Sequence, residues 1–88
     1  MYELEHKNQT WGMNETPLAA RFGACIRQLR QERGYTQEEF ADRCGFFRTY
    51  LNRIETGAAN PTLNAIEVIA IALGVSLVDV FQAIDTTP

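Results

Sequence analysis

The 88-residue chain is predicted to form an all-α domain of five helices. Apolar residues recur at the three-to-four-residue spacing of amphipathic helices, and no stretch alternates as a half-buried strand does. Glycine or a helix-capping residue separates each periodic segment from the next. With 45% hydrophobic and 22% charged residues, the composition is that of a globular domain. The core that such a chain can build is too small for an enzyme with a cleft and a lid.

The ends of the chain are expected to be less ordered than its centre. Residues 1–16 are polar and show no periodicity, so we predict a flexible tail there. Met13 is an alternative start of translation, and the sequence leaves the choice between it and Met1 open. We therefore divide the chain into a tail at 1–16, a helical domain at 17–84 and a frayed end at 85–88.

The first helix is predicted to begin after Pro17, because proline is well suited to a first helical turn. Its periodic residues form one apolar stripe and leave a basic face exposed. Gly34 is expected to end the helix in the left-handed conformation. The residues at this spacing are Phe22, Cys25, Ile26, Leu29 and Arg33.

The second and third helices are short and lie on either side of a glycine. Thr36 and Glu39 have the spacing of a capping box and predict the start of the second helix, which Gly45 ends. A third helix is expected from about Phe47 to Thr56. Its inward residues are Leu51 and Ile54, and the residues left for solvent or a partner are Arg48, Thr49, Asn52 and Arg53.

Two further helices complete the predicted fold. Thr62 is expected to cap the fourth helix and Gly74 to end it, and Ser76 is expected to cap the fifth. Both helices are strongly periodic. The predicted apolar stripes are Leu63, Ile66, Ile69, Ala70 and Leu73 in the fourth helix, and Leu77, Val80, Phe81 and Ile84 in the fifth.

Positive charge is concentrated in the middle of the chain. The net charge is −3, yet residues 21–57 hold seven arginines against five acidic residues. Arginine presents a planar fork of donors that suits phosphates and guanine edges. The asymmetry favours an anionic partner for the central segment, although an excess of two charges is weak evidence alone.

The residues that enzymes and metal sites need are scarce. Cys25 and Cys44 lie too far apart for a metal-binding motif, and His6 is the single histidine. No activating base accompanies either cysteine, and no motif contains a pair of carboxylates. We therefore expect two buried thiols, no metal, no cofactor, no small-molecule ligand and no enzymatic activity.

The sequence also contains no signal for export or membrane insertion. No apolar stretch approaches the roughly 20 residues that a membrane-spanning helix requires. The first residues lack the basic and apolar segments of a secretory signal. We therefore expect a cytoplasmic protein without a membrane partner.

The second and third helices have the spacing of a helix-turn-helix. Where the two helices cross, the first needs a small residue, here Ala41, and the turn needs a residue free to adopt positive φ, here Gly45. Leu51 and Ile54 then pack the second of these helices against the first. This spacing is moderately specific, because many helical hairpins show part of it.

The segment from residue 22 to 81 contains further motifs, which are Arg30-x-x-x-Gly34-x-Thr36-Gln37-Glu38-Glu39-x-Ala41, Cys44-Gly45, Ile54-Glu55-x-Gly57, Asn60-Pro61-Thr62-Leu63 and Ala72-Leu73-Gly74-Val75-Ser76-Leu77. With these motifs the segment resembles the Cro/C1-type (XRE) helix-turn-helix family, which implies a five-helix, lambda-repressor-like DNA-binding domain. Arg48-Thr49-Tyr50 is also similar to the controller proteins of restriction–modification systems.

The resemblance implies a role for each of several residues. The third helix would enter the major groove by its amino-terminal end, and Gln37 would meet a phosphate at the start of the second helix. Arg30 and Glu55 match a pair that forms a buried salt bridge. The implied base-reading residues are Arg48, Thr49, Asn52 and Arg53, and those implied for the DNA backbone or groove edge are Gln37, Phe47, Tyr50 and Asn60.

Plainer roles remain open for the same residues. Arg48, Asn52 and Arg53 also fit a solvated helix face, and Tyr50 fits a packing role. The family usually has a small polar residue where this chain has Phe47, so the chain loses a helix cap there. Either Phe46 and Phe47 contact a thymine methyl or one ring turns inward. Ala58 and Ala59 replace basic residues of many relatives.

A homodimer is expected from the fifth helix. It has more apolar positions than one face of a short helix needs, which leaves a second surface for a symmetric contact. Burial within a single protomer is the alternative. The residues assigned to the dimer interface are Val78, Phe81 and Ile84.

Two functions from different classes follow. The first is a sequence-specific DNA-binding regulator of transcription that acts as a homodimer on a palindromic operator in double-stranded DNA. It would be a phage-type repressor or an autoregulated restriction–modification controller. The second is a protein-interaction module, such as an antitoxin or adaptor, that retains the helix-turn-helix fold.

Overall fold

The computed structural model describes residues 16–86, which form five α-helices joined by short loops, with no strand in that range. The predicted all-α class and order of helices are confirmed. The tail expected at 1–16 lies outside the described residues except for Thr16. The helices are α1 (Leu18–Glu32), α2 (Gln37–Cys44), α3 (Arg48–Glu55), α4 (Leu63–Leu73) and α5 (Leu77–Thr86).

Side chains cap the starts of three helices as predicted. The Thr36 hydroxyl accepts from the backbone N–H of Glu39 at 3.0 Å, and the Glu39 carboxylate accepts from the backbone N–H of Thr36 at 2.9 Å. The Thr62 hydroxyl accepts from the backbone N–H of Ala65 at 3.0 Å. At the start of α5, the Ser76 hydroxyl accepts from the backbone N–H of Asp79 at 3.0 Å. These bonds satisfy amides that a helix start otherwise leaves unpaired.

The predicted apolar stripe of α4 is wrong at its first residue. Leu63 is 81% exposed, whereas Ala65 and Ala72 are buried. The small side chains of these alanines allow α4 to pack against α2 and α5, so the buried face is centred away from Leu63. Periodicity alone does not distinguish this rotation, because a stripe of larger residues fits the same spacing.

The α5 helix ends close to the boundary predicted at residue 84, and the fraying expected at 85–88 stays a prediction. The α5 helix continues through Thr86, and residues 87–88 lie outside the described part of the chain. The Thr86 hydroxyl donates to the carbonyl oxygens of Gln82 at 3.1 Å and Ala83 at 3.2 Å. These bonds satisfy acceptors that the end of a helix leaves unpaired.

One apolar core joins the five helices. The α1 helix packs on α3 and α5, α2 packs on α3 and α4, and α4 packs on α5. Burial of a single large aliphatic or aromatic side chain contributes roughly 1.5–3 kcal/mol. Because α3 packs on both α1 and α2, two of its sides are buried and its remaining face is exposed to solvent. The largest fully buried side chains are Phe40, Ile26, Leu51, Ile54, Ile69 and Val80.

Both cysteines are free thiols that pack against this core. Burial raises the pKa of Cys25, and the nearby Glu32 carboxylate raises it further. Burial also raises the pKa of Cys44 to about 11, against an opposing effect of Arg43. Both side chains are therefore protonated at neutral pH and are poor nucleophiles.

Residues 16–86 contain neither a group of side chains suited to a metal ion nor a single helix that could span a membrane. No three histidine, cysteine or acidic residues of this range are grouped so that they could hold a metal ion. No single helix of the range is long and apolar enough to cross a membrane. The α4 and α5 helices reach that length and composition only as a pair, and they bend by 93° between them.

Candidate nucleic-acid interface

The turn between α2 and α3 has the geometry that the sequence predicts. Gly45 adopts the left-handed conformation with φ of 74°, which a side chain would disfavour. The backbone N–H of Phe46 donates to the Ala41 carbonyl at 2.9 Å and closes the end of α2. Ala41, Leu51 and Ile54 are all buried where the two helices meet. The α2–turn–α3 unit therefore presents the outer face of α3 to solvent.

The predicted base-reading side chains occur together on that outer face. They are exposed and line one open depression of the surface. Their exposure is consistent both with a binding face and with a solvated face. The four residues are Arg48, Thr49, Asn52 and Arg53.

The two arginines of this face differ in their contacts. The Arg53 Nη2 donates to the Ala58 carbonyl oxygen at 3.1 Å, so this side chain holds the loop after α3. Within residues 16–86, the Arg48 side chain makes neither a hydrogen bond nor an ion pair. Arg48 begins α3 and is the guanidinium of this face most available to an external acceptor.

A buried salt bridge fixes the far end of α3 to α1. The Arg30 Nε lies 2.8 Å from Glu55 Oε2, and its Nη2 donates to Oε1 at 3.1 Å. Arg30 Nη1 also donates to the Tyr35 carbonyl oxygen at 2.8 Å. The bridge that the resemblance implies for Arg30 and Glu55 is therefore present, and it is bidentate.

Gln37 is part of the same network. Its Nε2 donates to Glu55 Oε1 at 3.1 Å, and the side chain is half-buried. This bond orients the amide at the start of α2 and leaves a second N–H without a partner among the described residues. The role that the resemblance implies, a phosphate contact by Gln37, remains a prediction, and the geometry leaves a donor for it.

Two of the central arginines serve the end of α4. Arg33 Nε donates to the Leu73 carbonyl oxygen at 2.8 Å, and Arg43 Nη2 donates to the Ala72 carbonyl oxygen at 3.4 Å. The Arg43 guanidinium also lies 4.8 Å from the centre of the Tyr35 ring. The α4 helix has no basic residue in its own last turn, so α1 and α2 supply these donors. The central arginine excess is therefore partly structural.

The two adjacent phenylalanines have opposite environments. Phe46 packs against the core, and its ring meets the Tyr50 ring edge-on with centres 5.0 Å apart. Phe47 is the N-cap of α3, makes no side-chain capping bond and is 85% exposed. Phe46 is therefore the ring that turns inward, and an inward ring was one of the two alternatives that the sequence left open. Tyr50 is half-buried with its ring in the packing, and its contact with DNA remains a prediction.

The predicted dimer interface is wrong at Ile84. Val78 is 65% exposed and Phe81 is 42% exposed, whereas Ile84 is 2% exposed. Ile84 shares the inner face of α5 with Val80, because residues four apart lie on the same side of a helix. Burial in its own core leaves Ile84 unable to contact a second copy, so only Val78 and Phe81 remain candidates.

Comparison with known proteins identifies the family. A model of the helix-turn-helix domain family matches residues 21–81. The chain belongs to this family. It is a helix-turn-helix transcriptional regulator of the Cro/C1 type, as the motifs predict, and regulators of this kind are not enzymes.

Two curated relatives of this helix-turn-helix regulator illustrate the similarity. An uncharacterised HTH-type transcriptional regulator, y4dJ of Sinorhizobium fredii, is 44% identical over 66 residues, which span 75% of this chain and 86% of that protein. The control protein C.MunI of a Mycoplasma species is 38% identical over 74 residues, which span 83% of this chain and 97% of that protein.

Solved structures agree with this assignment. The restriction–modification controller C.Esp1396I, crystallised as a tetramer with its natural 35 base-pair operator, has a TM-score of 0.74 and 34% identity. The match covers 81% of this chain and 93% of that chain. C.AhdI of Aeromonas hydrophila has a TM-score of 0.69 and 33% identity, over 72% of this chain and 96% of its own.

The exposed surface beside α3 also includes a basic residue that was not among the predicted site residues. Arg27 is exposed on α1 and lines a depression together with Gln37, Asn52 and Thr56. The position of Arg27 on the predicted basic face of α1 is the sequence feature that could have identified it. Asn60, predicted to follow the DNA backbone, is exposed in the loop before α4 and lines a separate groove.

Proposed function

We propose that this regulator binds a palindromic operator in double-stranded DNA as a homodimer and reads bases in the major groove with α3. The observation that carries the proposal is Arg48, an exposed arginine at the start of α3 that has no internal partner in residues 16–86. Arginine can bridge O6 and N7 of guanine, which is the commonest specific contact in the major groove. Thr49 and Asn52 lie beside it with their side chains exposed.

The frame behind α3 supports this role. A recognition helix must meet the groove at a defined angle, and the Arg30–Glu55 bridge holds one end of α3. Gln37 places an amide N–H beside that bridge, at the start of α2, where free backbone amides favour an anion. We infer that Gln37 and Arg27 contact phosphates while Arg48 reads a base. Phosphate contacts of this kind position the protein, and base contacts specify the sequence.

Self-association is part of the proposal. A single recognition helix reads few base pairs, and related folds pair two copies across half-sites about 34 Å apart. The exposed apolar side chains Val78 and Phe81 on α5 support a symmetric contact. C.Esp1396I binds its operator as a tetramer, which supports assembly of copies on DNA. We further propose autoregulation, in which the concentration of the protein controls its own promoter.

The reading of bases by Arg48 is tested by a binding titration against the DNA upstream of the protein's own gene. Arg48→Ala is expected to weaken binding roughly tenfold or more, because a bidentate guanine contact discriminates by about 1–3 kcal/mol. Arg21→Ala removes the same charge from α1 and serves as the matched control. Each titration is made at two salt concentrations, and binding of all proteins should weaken as salt rises.

Equal, weak binding of both variants and the wild type to every duplex would contradict the proposal. In that case the protein-interaction function gains support, because Leu63 and Ile71 on α4 expose apolar side chains that a protein partner could cover. A stable complex with a co-purified protein, unchanged by Arg48→Ala, is the result that this second function predicts.

The dimer is tested separately with Val78→Asp. A charge at this exposed position is expected to shift the protein from dimer to monomer in sedimentation equilibrium, and to weaken operator binding with it. Ile71→Asp adds the same charge to an exposed site on α4 and is the control. A dimer that persists in Val78→Asp would place the interface elsewhere, and a wild-type monomer at operator-binding concentrations would contradict the proposed homodimer.

A further inference from the structure

Phe47 is a highly exposed aromatic residue at a position where it gives the fold no capping bond. It occupies the N-cap of α3 in an extended conformation, with φ of −68° and ψ of 144°, and gives the helix no capping bond. Serine, threonine, asparagine or aspartate at an N-cap stabilises a helix by accepting from a backbone N–H near its start. Phe47 cannot do so, and its ring is 85% exposed. The fold therefore gains neither a cap nor core packing from this side chain.

The neighbouring residue already supplies the aromatic that the core uses at this turn. Phe46 packs against the core and meets Tyr50 edge-on, with ring centres 5.0 Å apart. The Phe47 ring is therefore not part of that packing. A single exposed apolar side chain is ordinary on a protein surface, but Phe47 lies at the amino-terminal end of α3 beside Arg48, and this position points to a contact outside the protein.

The surroundings of Phe47 indicate which contact fits. The next two residues, Arg48 and Thr49, are exposed and polar, and the Arg48 guanidinium has no acidic partner in the described chain. Within residues 16–86, the other large hydrophobic side chains that are exposed lie on α1, α4 and α5, and none lies on α2 or α3. A single ring beside an exposed arginine suits DNA better than the buried core of a protein interface, which is more apolar and poor in charged residues.

We propose that Phe47 is a specificity-determining residue that contacts the C5-methyl group of a thymine, next to the base that Arg48 reads. In the major groove only thymine among the four bases presents a methyl group, and phenylalanine is one of the side chains that contact it. Phe47 directly precedes the amino-terminal end of α3, the part of a recognition helix that reaches the bases. The inference rests on the proposed function and names one base of each half-site.

The test uses duplexes recovered from a random-sequence pool by binding to the wild-type protein. Each thymine of a recovered site is replaced in turn by deoxyuridine, which removes the methyl group and keeps base pairing. We expect one thymine in each half-site at which the replacement weakens wild-type binding about fourfold, as loss of one buried methyl-sized group implies. Phe47→Ala should bind more weakly than the wild type and should not distinguish thymine from uracil at that position.

Two variants separate this contact from an effect on folding. Phe47→Ser restores a capping hydroxyl, so it should be at least as stable as the wild type in urea and still lose the thymine preference. Phe47→Leu keeps an apolar side chain and should retain part of it. Loss of preference in Phe47→Ser with undiminished stability would support the contact.

The outcomes also distinguish failure of this inference from failure of the proposed function. A selected operator that binds equally well with uracil at every position would overturn the thymine contact and leave the DNA-binding function intact. The same applies if Phe47→Ala shows the full wild-type response to uracil. A pool that yields no preferred sequence would contradict the proposed function itself.

Discussion

Replacing Glu55 with alanine is expected to lower the free energy of unfolding by about 3–5 kcal/mol, the range for removing one partner of a buried ion pair. Arg30 is 7% exposed and would keep its charge. Its remaining acceptor in the described chain would be the Tyr35 carbonyl oxygen, 2.8 Å from Nη1. Gln37 would lose its bond to Glu55 in the same variant.

The measurement is urea unfolding of Glu55→Ala beside Glu38→Ala. Glu38 is exposed on α2, so its replacement removes an equal charge and should change stability by no more than about 0.5 kcal/mol. A double variant, Arg30→Met with Glu55→Leu, should recover much of the loss, because apolar residues of similar size can replace a buried pair. If Glu55→Ala and Glu38→Ala unfold at the same urea concentration, the bridge does not stabilise the domain.

Gly23→Ala is expected to destabilise the domain by about 3 kcal/mol, at the upper end of overpacking in a core. Gly23 is buried in α1 where that helix crosses the end of α3. An added Cβ would lie 2.8 Å from the Glu55 carbonyl oxygen and closer still to that of Ile54. Both obstacles are backbone atoms, so relief requires α3 to move away from α1. Alanine's advantage of about 1 kcal/mol in a helix is too small to offset this.

Thermal and urea unfolding of Gly23→Ala measure this loss of stability. The control is Ala24→Gly, a substitution of the neighbouring exposed residue. The control changes the same helix by the opposite substitution and should cost only about 1 kcal/mol, the difference in helix propensity. Because α3 must shift in Gly23→Ala, its folded fraction should also bind the operator more weakly than the wild type. A Gly23→Ala protein more stable than the wild type would show that the crossing has room.

The elements were predictable because their signals are local. The capping box of Thr36 and Glu39 and the left-handed Gly45 act within a few residues, so the sequence shows where α2 begins and ends. The faces of α4 and α5 depend on partners far along the chain. Leu63 and Ile84 fit apolar stripes equally well, and only packing decides that the first is exposed and the second buried.

The candidate site was predictable to a similar degree. The exposed face of α3 follows from the burial of Leu51 and Ile54, which periodicity indicates. The destination of each arginine does not follow in this way. Arg33 reaches a carbonyl oxygen 40 residues away, and no spacing rule links such a donor to its acceptor. The sequence alone does not indicate the importance of Gly23, because it depends on the close approach of α1 and α3 and not on a side chain.

The arginines that hold the end of α4 affect how this protein would distribute itself over a genome. Affinity for arbitrary DNA depends on how many phosphate charges a protein neutralises, because each contact releases a counterion. Arg33 and Arg43 donate to carbonyl oxygens at the end of α4 rather than lying on the outer face of α3, so they are poorly placed to add to that count. Because the net charge of the protein is −3, it would then bind non-specific DNA only weakly. Most copies would stay free, so occupancy of an operator would follow the copy number directly.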